Sequence, residues 1–386
     1  MNRTVFFVTP TLFPLGNSGQ LEHWCKILVT SGWKVIVGVL HGEPNPDQQV
    51  RYPGTELRWL GIRRREWSGW TRLANELSSE RPKVLHFWDC PDAVYRVTRH
   101  FSGRRLETLF AFQNSQEWAW RGRRIPPCDW RLVYNGELLA RPLEATDTDS
   151  ISRDQAESGE LLTRPRRGLS QMRRLAERER LIHKAPLVTY ESREMTRVRL
   201  RRQLGLPTDT KFVVGAAMFR PDTDCKDLIW GIDQLKIVRD DPHLLLLGRG
   251  PQQAKLERFL SLTEVESNTH FLGERADGPE IVAAADIFWQ ADLTVHQPDG
   301  LLLALANGVP AVAAYGEGTR DLVLPQQTAW VARPGARYEY ARWSKFFLEE
   351  QERAAQLSAQ AREYVAMTFP LERLEQEVRE IYDELL

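Results

Sequence analysis

Short apolar runs alternate with helical patterns along most of the chain, and this alternation restricts the fold more than any other feature of the sequence. Residues 5–9 and 34–40 are apolar, strand-like runs, and between them residues 21–28 carry apolar side chains at helical spacing. Strands that alternate with helices are typical of βαβ units, which build parallel sheets. The sequence therefore predicts an α/β chain.

The alternation continues towards the carboxyl end. Further strands are predicted at residues 84–87, 108–112, 212–217, 244–247, 268–272, 287–291 and 311–314. Helices are predicted at residues 170–183, 192–204 and 227–238, and a last helix follows Pro370. In the first helix, Glu22 and Lys26 lie one turn apart, a spacing that favours an ion pair along the helix. The two series of elements predict two Rossmann-like, doubly wound domains.

The boundary between these domains is marked by a helix stop signal. The chain has 386 residues, a length that fits two or three domains. Gly205, followed by Leu and Pro, ends a basic helix and divides residues 1–205 from residues 206–369. Residues 141–168 are rich in Asp, Glu, Ser, Thr and Arg and have few large apolar side chains, which predicts a flexible loop or insertion.

Charge is distributed unevenly although the net charge is zero. Residues 1–205 contain 34 Lys and Arg against 23 Asp and Glu, a net charge of +11, and residues 206–386 have a net charge of −11. Basic clusters at residues 63–65, 121–124 and 164–167 favour contact with an anionic membrane or an anionic acceptor. A solvated, arginine-rich surface is the alternative. No nucleic-acid fold motif accompanies the arginines, so nucleic acid is not expected as a partner.

The sequence also predicts a location. No apolar run approaches the roughly 18 to 20 residues that span a bilayer, and the short apolar run near the amino terminus predicts a strand rather than a signal peptide. Cys25, Cys90, Cys128 and Cys225 lie far apart, which predicts a reducing compartment with neither disulfides nor a zinc site. We expect a cytoplasmic protein, with contact at the inner face of the membrane as a second interpretation.

Glycine-containing turns follow several of the predicted strands. In open parallel sheets, ligands bind beyond the carboxyl ends of the strands, where glycine lets the backbone approach a phosphate. The candidate turns are residues 16–19, 248–250 and 296–300 and the loop after Ala217. A tight turn without a ligand is the alternative for each. The chain has no P-loop, H-E-x-x-H, G-x-S-x-G or complete G-x-G-x-x-G, which disfavours the enzyme classes that depend on them.

Several motifs, by their order and spacing, resemble the retaining glycosyltransferases of family 4. The resemblance covers most of the chain and is strongest from about residue 193 to the end. Its motifs are residues 16–22 (GNSGQLE), 31–35 (SGWKV), 201–207 (RRQLGLP), 226–230 (KDLIW), 246–251 (LLGRGP), 270–273 (HFLG), 285–289 (ADIFW), 308–313 (GVPAVA) and 380–386 (EIYDELL). The resemblance implies the GT-B architecture, two Rossmann-like domains facing a central cleft, with residues 370–386 as a helix that packs back on the first domain.

The same resemblance implies a substrate and its binding residues. A nucleotide sugar would be held mainly by the second domain, without a metal or cofactor, and a glycan, lipid-linked or small-molecule acceptor would be held by the first. From the glycine turns and the charged or polar residues near them, the candidate donor-binding residues are Gly19, Arg220, Lys226, Gly248, Arg249, Gly250, Gln297, Asp299 and Gly300. For the three cations among them, a solvated surface position is the alternative. The candidate acceptor-side residues are His86, Gln113, Asn114 and Trp118. For His86 and Trp118, a position in the hydrophobic core is the alternative.

The chain departs from the family pattern where charged groups are expected. Alignment on residues 308–310 places Val295 and Leu303 at the positions of the family's paired glutamates. Alignment on residues 226–229 places Met218 and Thr223 at the positions of its diphosphate-binding Arg and Lys. Two functions are therefore open: transfer of a sugar in polysaccharide or cell-envelope synthesis, or a catalytically silent homologue that acts as a binding or scaffold partner. Arg220, Lys226 or Arg249 directed into the cleft favours the first function, and an apolar floor favours the second.

Overall fold

The computed structural model describes residues 3–16, 18–62, 67–88, 90, 93, 97, 109–114, 128–133, 176–220, 223, 225–291, 298–320, 322–333 and 335–384. The predicted flexible segment, residues 141–168, lies outside this described part of the chain.

Seven of the described strands form one parallel sheet in the first half of the chain. Its spatial order is β3-β2-β1-β4-β5-β6-β7. The strands are β1 (Thr4–Thr9), β2 (Lys34–Val39), β3 (Glu56–Trp59), β4 (Val84–Trp88), β5 (Leu109–Asn114), β6 (Cys128–Val133) and β7 (Ala176–Leu181), and the accompanying helices are α1 (Leu21–Thr30), α2 (Pro46–Arg51) and α3 (Trp67–Glu80). All six residues of β1 are buried, because a central parallel strand is covered on both faces.

Six of the described strands form a second parallel sheet, in the order β10-β9-β8-β11-β12-β13. They are β8 (Lys211–Ala216), β9 (Pro242–Leu247), β10 (Thr269–Gly273), β11 (Ile287–Gln290), β12 (Ala311–Ala314) and β13 (Trp330–Ala332). The helices of this half are α4 (Arg193–Leu204), α5 (Cys225–Lys236), α6 (Gln253–Leu260), α7 (Gly278–Ala284), α8 (Asp299–Ala306), α9 (Glu317–Arg320), α10 (Arg337–Glu349), α11 (Gln351–Thr368) and α12 (Leu371–Glu384), with a short 3₁₀ helix at Glu266–Asn268.

The limits of α4 follow from its sequence. Ser192 precedes the helix, and its hydroxyl accepts a hydrogen bond from the Met195 amide at 3.3 Å, which caps the first turn. Gly205 follows the helix with φ +66°, a left-handed conformation that glycine adopts without strain. The predicted helix at residues 192–204 is confirmed.

The helix predicted at residues 170–183 is wrong, because residues 176–181 form β7 and pair in parallel with β6. The sequence of β7, AERERL, combines helix-forming residues with an alternating pattern, and pairing with β6 overrides the local helix preference. The sequence pattern also missed β3, a short edge strand with the polar residues Glu56 and Arg58.

The last helix, α12, packs on the first half of the chain. Leu374, Val378 and Ile381 lie in the same hydrophobic cluster as Trp24 of α1. The helix therefore completes the core of the first domain, although the preceding α11 packs against α8 of the second domain.

Both sheets reverse their strand order beside a central strand, between β1 and β4 and between β8 and β11. Such reversal points open crevices at the carboxyl ends of the strands. The loops after β1 and β8 and the start of α8 are therefore the places to look for a site.

Candidate functional site

The loop after β1 reaches into the second domain. Phe13 and Leu15 are buried in the hydrophobic cluster formed by α7, α8 and the second sheet. The approach is close, since a Cβ atom at Gly278 of α7 would lie 3.1 Å from Leu15 Cδ1. Apolar side chains of the first domain thus fill part of the space between the domains.

A buried polar cluster, which we call the clasp, joins the domains where α8 begins. The clasp consists of Gln20, Lys184 and Asp299. Gln20 Nε2 donates a hydrogen bond to Asp299 Oδ1 at 2.6 Å, and Lys184 Nζ donates to Asp299 Oδ2 at 3.2 Å. The Lys184 side chain is only 1% exposed. A carboxylate at this position is favoured by the Lys184 ammonium and by the positive end of the α8 dipole.

Gly19 allows the clasp to close. A Cβ atom at this position would overlap Asp299 Oδ2 and would lie 2.6 Å from the Pro14 carbonyl oxygen. Gly19 and Asp299, named separately from the sequence as donor-binding candidates, are therefore in direct contact. In this structure the space beside the glycine turn is occupied by a carboxylate of the chain itself.

A second buried ion cluster lies beside the clasp. Arg51 Nε donates to Glu22 Oε2 at 2.8 Å, and Arg51 Nη1 donates to Glu280 Oε1 at 3.1 Å, which joins α2 to α7 across the domain interface. Tyr190 donates from its hydroxyl to Glu22 and from its amide to Glu280. Burial raises the pKa of Glu22, and Arg51 opposes that rise. Glu22 pairs with Arg51 rather than with Lys26, the partner expected from the sequence.

Residues 182–191, which connect β7 of the first sheet to α4 and which we call the linking segment, bond to residues in and beside α1. The Ala185 amide donates to Gln20 Oε1 at 3.1 Å, and the Ala185 carbonyl accepts from Gln20 Nε2 at 3.0 Å. His23 Nε2 lies 2.9 Å from the Pro186 carbonyl oxygen, so this nitrogen carries the hydrogen. Burial lowers the pKa of His23 to about 4, because the imidazolium would be desolvated.

The glycines of the turn after β9 permit close packing of two loops. A Cβ atom at Gly248 would overlap the Ala217 carbonyl oxygen, and one at Gly250 would overlap the Phe219 carbonyl oxygen. Gly248 also has φ +121°. The loop after β8 therefore covers both glycines, which is the tight-turn alternative given by the sequence.

Of the two uncharged positions in the loop after β8, Thr223 has a structural role for its side chain. Thr223 Oγ1 accepts from the Arg220 amide at 3.2 Å and donates to the Arg220 carbonyl at 2.9 Å. The Arg220 amide also lies 2.7 Å from the Met218 carbonyl oxygen. These bonds fold the loop into a turn in which the side chain of Arg220 is buried.

The other two cations named from the sequence lie along the edge of the second domain. Lys226 is exposed, with its Nζ 5.4 Å from the centre of the Phe259 ring on α6, in a cation–π contact. Arg249 is exposed near Gly273, and its charge lowers the pKa of the Glu274 carboxyl, which burial raises by more. Among the three, Arg220 is the buried one.

Helix α8 presents apolar residues to the second core. Leu303 has 0% exposure and lies in the hydrophobic cluster with Phe288. A Cβ atom at Gly300 would lie 2.9 Å from Phe288 Cζ and 3.4 Å from the Cβ atom of Ala216 at the end of β8. Leu303 is thus a core residue. Val295 and Gln297 lie outside the described residues.

Of the acceptor-side candidates, His86 is a core residue. It is fully buried, its Nδ1 lies 3.1 Å from the Tyr382 hydroxyl of α12, and its ring centre lies 5.3 Å from that of Trp24. This position agrees with the core alternative given by the sequence, and a role for His86 on the acceptor side stays a prediction. Gln113 and Asn114 end β5, but their side chains and Trp118 lie outside the described part of the chain.

The second half of the chain matches a known family model. Residues 196–364 are similar to the family described as glycosyl transferases group 1. N-acetyl-alpha-D-glucosaminyl L-malate synthase of Bacillus anthracis is 24% identical over 199 residues, which are 51% of this chain and 51% of that protein. The match thus spans about half the length of this curated relative.

Solved glycosyltransferase structures match the whole fold. HepE of Anabaena, solved in complex with UDP and glucose, has a TM-score of 0.69 at 15% identity, covering 99% of this chain and 100% of HepE. Sucrose-phosphate synthase from Thermosynechococcus elongatus has a TM-score of 0.66 at 16% identity, covering 99% of each chain. At these identities the likeness shows the fold alone. The GT-B fold and the glycosyltransferase resemblance predicted from the sequence are both confirmed.

The described residues include neither a helix suited to crossing a membrane nor a cluster suited to a metal ion. No helix in that part of the chain has a stretch long and apolar enough to cross a bilayer. Within the same residues, no group of three or more His, Cys, Asp and Glu side chains is arranged to hold a metal ion. Cys25, Cys90 and Cys225 are buried free thiols.

Proposed function

We propose that this group 1 glycosyltransferase homologue binds a nucleoside diphosphate sugar between its domains and transfers the sugar to an acceptor. One observation carries the proposal: three segments converge at a single point. Gly19 of the loop after β1 touches Asp299, and the adjacent Gly300 lies against Ala216, where the loop containing Arg220 begins. Crevices at this position in doubly wound folds are the common place for nucleotides.

The chemistry suits the groups at that point. In the transfer, the bond between the sugar anomeric carbon and the diphosphate oxygen breaks, and an acceptor oxygen bonds to the same carbon. The acceptor proton leaves with the diphosphate or enters solvent, so the atoms balance. The charge that develops on the diphosphate needs fixed cations and helix dipoles. Arg220, Lys184 and the amino end of α8 are the groups of this kind that we assign to that task.

The donor class is proposed from a structural neighbour. HepE was solved with UDP and glucose, so UDP-glucose is the first donor to try here. The acceptor that we propose is a glycan, lipid-linked or small molecule used in polysaccharide or cell-envelope synthesis. A cytoplasmic location remains a prediction from the cysteine spacing and the short apolar runs, and contact between the basic first half and an anionic membrane remains a prediction from charge. The absence of a nucleic-acid partner also remains a prediction.

A second candidate function is a catalytically silent homologue that binds a partner glycosyltransferase, a glycan or a nucleotide. The observation that favours it is Leu303, which is fully buried where the family places a glutamate. Met218 and Thr223 likewise supply no charge to a diphosphate. This chain would then retain the fold and the binding surfaces of its relatives without the transfer step.

Release of nucleoside diphosphate separates the two functions. The purified chain is incubated with UDP-glucose, UDP-N-acetylglucosamine or GDP-mannose and a mixture of glycan acceptors, and free UDP or GDP is measured. Arg220→Ala is compared with Arg202→Ala, a control at an exposed arginine of α4. Release that is lost only in Arg220→Ala supports transfer. Nucleotide binding without release supports the silent homologue, and neither binding nor release overturns transfer of a sugar.

A further inference from the structure

The domain interface is closed by charged groups that are almost wholly removed from water. The clasp contains one buried cation and one buried carboxylate, and the neighbouring cluster contains Arg51 between Glu22 and Glu280. Desolvation of such groups is expensive, and apolar side chains of similar volume often stabilise an interface equally well or better. Stability alone therefore gives a weak reason for charges at this place.

The linking segment is fixed to both domains at successive residues. Lys184 bonds to Asp299 of the second domain, and Ala185 bonds to Gln20 of the first. Further along, the Val188 carbonyl accepts from Arg51 Nη2 at 2.8 Å, and the Tyr190 amide donates to Glu280 at 2.9 Å. A hinge between domains needs freedom in such a segment, and here its bonds to one domain or to the other must break before the domains separate.

We propose that the clasp is an autoinhibitory contact that holds the two domains closed in the absence of substrate. Asp299 places a negative charge at the amino end of α8, which has eight residues and begins at this residue. That charge occupies the position beside Gly19 and is paired with Lys184. Opening the clasp separates the domains at α1 and α8.

The consequence for substrate rests on the proposed function. A diphosphate and the Asp299 carboxylate are both anions, so they would repel each other and compete for the same positive groups. A nucleotide therefore binds only when Asp299 releases Lys184. Replacing Asp299 by Asn removes the competing charge and raises the net charge of the clasp by one. Replacing Lys184 by Met breaks the same contact but makes the clasp more negative.

Hydrogen exchange of the full-length chain tests the contact without any ligand. We compare the wild type with Asp299→Asn and Lys184→Met, and use Asp209→Asn as a control at an exposed carboxylate. Amides of residues 182–191 and of the first turn of α1 are expected to exchange about tenfold faster in both clasp variants, because each variant loses the buried ion pair between Lys184 and Asp299. The control is expected to match the wild type. Circular dichroism confirms that each variant is folded.

Titration with UDP tests the consequence. Asp299→Asn is expected to bind UDP about tenfold more tightly than the wild type, the effect of one favourable charge-assisted contact. Lys184→Met gains no affinity. If the amide exchange rates of both variants lie within twofold of those of the wild type, the proposal that the clasp holds the domains closed is overturned. Faster exchange in both, with no UDP bound by any protein, upholds the clasp as a domain lock and overturns the proposed function instead.

Discussion

Substitution of Leu303 by Glu would restore the residue type that the family resemblance places there, and the structure predicts that it damages the protein. Leu303 is fully buried in an apolar cluster. The substitution removes about 2 kcal/mol of the stabilisation that burial of the apolar side chain provides. Placing a carboxylate there without a partner adds a penalty of several kcal/mol. The sum, about 4 kcal/mol or more, is a large part of a typical unfolding free energy of about 5–15 kcal/mol.

Urea unfolding at pH 7, followed by tryptophan fluorescence, measures this loss. Leu303→Met is the matched control, since a volume-conserving change costs less than about 1.5 kcal/mol. The buried Glu should keep its proton to a higher pH than in the unfolded chain, so the stability of the variant falls as pH rises above about 4.3. If Leu303→Glu were as stable as Leu303→Met at pH 7, residue 303 would face the cleft and the reasoning would be refuted.

Three further predictions concern stability. The pKa of His23 is about 4 in the folded protein and about 6.5 in an unfolded chain. As pH falls from 6.5 to 4, protonation of the unfolded chain therefore lowers the free energy of unfolding by about 3 kcal/mol. His23→Gln, whose amide still reaches the Pro186 carbonyl, should show a smaller loss, and equal pH slopes in urea unfolding would contradict this. Gly248→Ala should lower the free energy of unfolding by about 2 kcal/mol or more, because the added Cβ would overlap backbone atoms. Gly32→Ala, with φ +81° and open space around the added Cβ, should lower it by about 1 kcal/mol. Equal decreases in melting temperature would argue against the overlap. Tyr382→Phe, which removes the hydroxyl from His86, should cost about 1–3 kcal/mol in the same denaturation assay, and an unchanged midpoint would show the bond to be unimportant.

The core strands were predictable from the sequence because they are apolar on both faces. Residues 287–290 and 311–314, buried throughout, form β11 and β12 close to the predicted limits. Strand β7 was not predictable, because its Glu and Arg residues suit a helix as well as an edge strand. There the pairing with β6 decides the conformation, and local sequence does not contain that information.

The candidate site was predictable only in part, for the same reason. Sequence reasoning named Gly19 and Asp299 from the turns in which they lie. It missed Lys184, which is 115 residues from Asp299, and Arg51, which is 229 residues from Glu280. No local pattern marks such partners, because only the packing of the two domains brings them together.

Calorimetric titration of the purified chain with UDP and UDP-glucose tests the central claim most directly. If the proposed function is right, the wild type binds saturably, and this binding is lost in Arg220→Ala and retained in Arg202→Ala. Tighter binding is expected in Asp299→Asn. Absence of binding heat up to millimolar nucleotide in both the wild type and Asp299→Asn would contradict the claim that the space between the domains receives a nucleotide sugar.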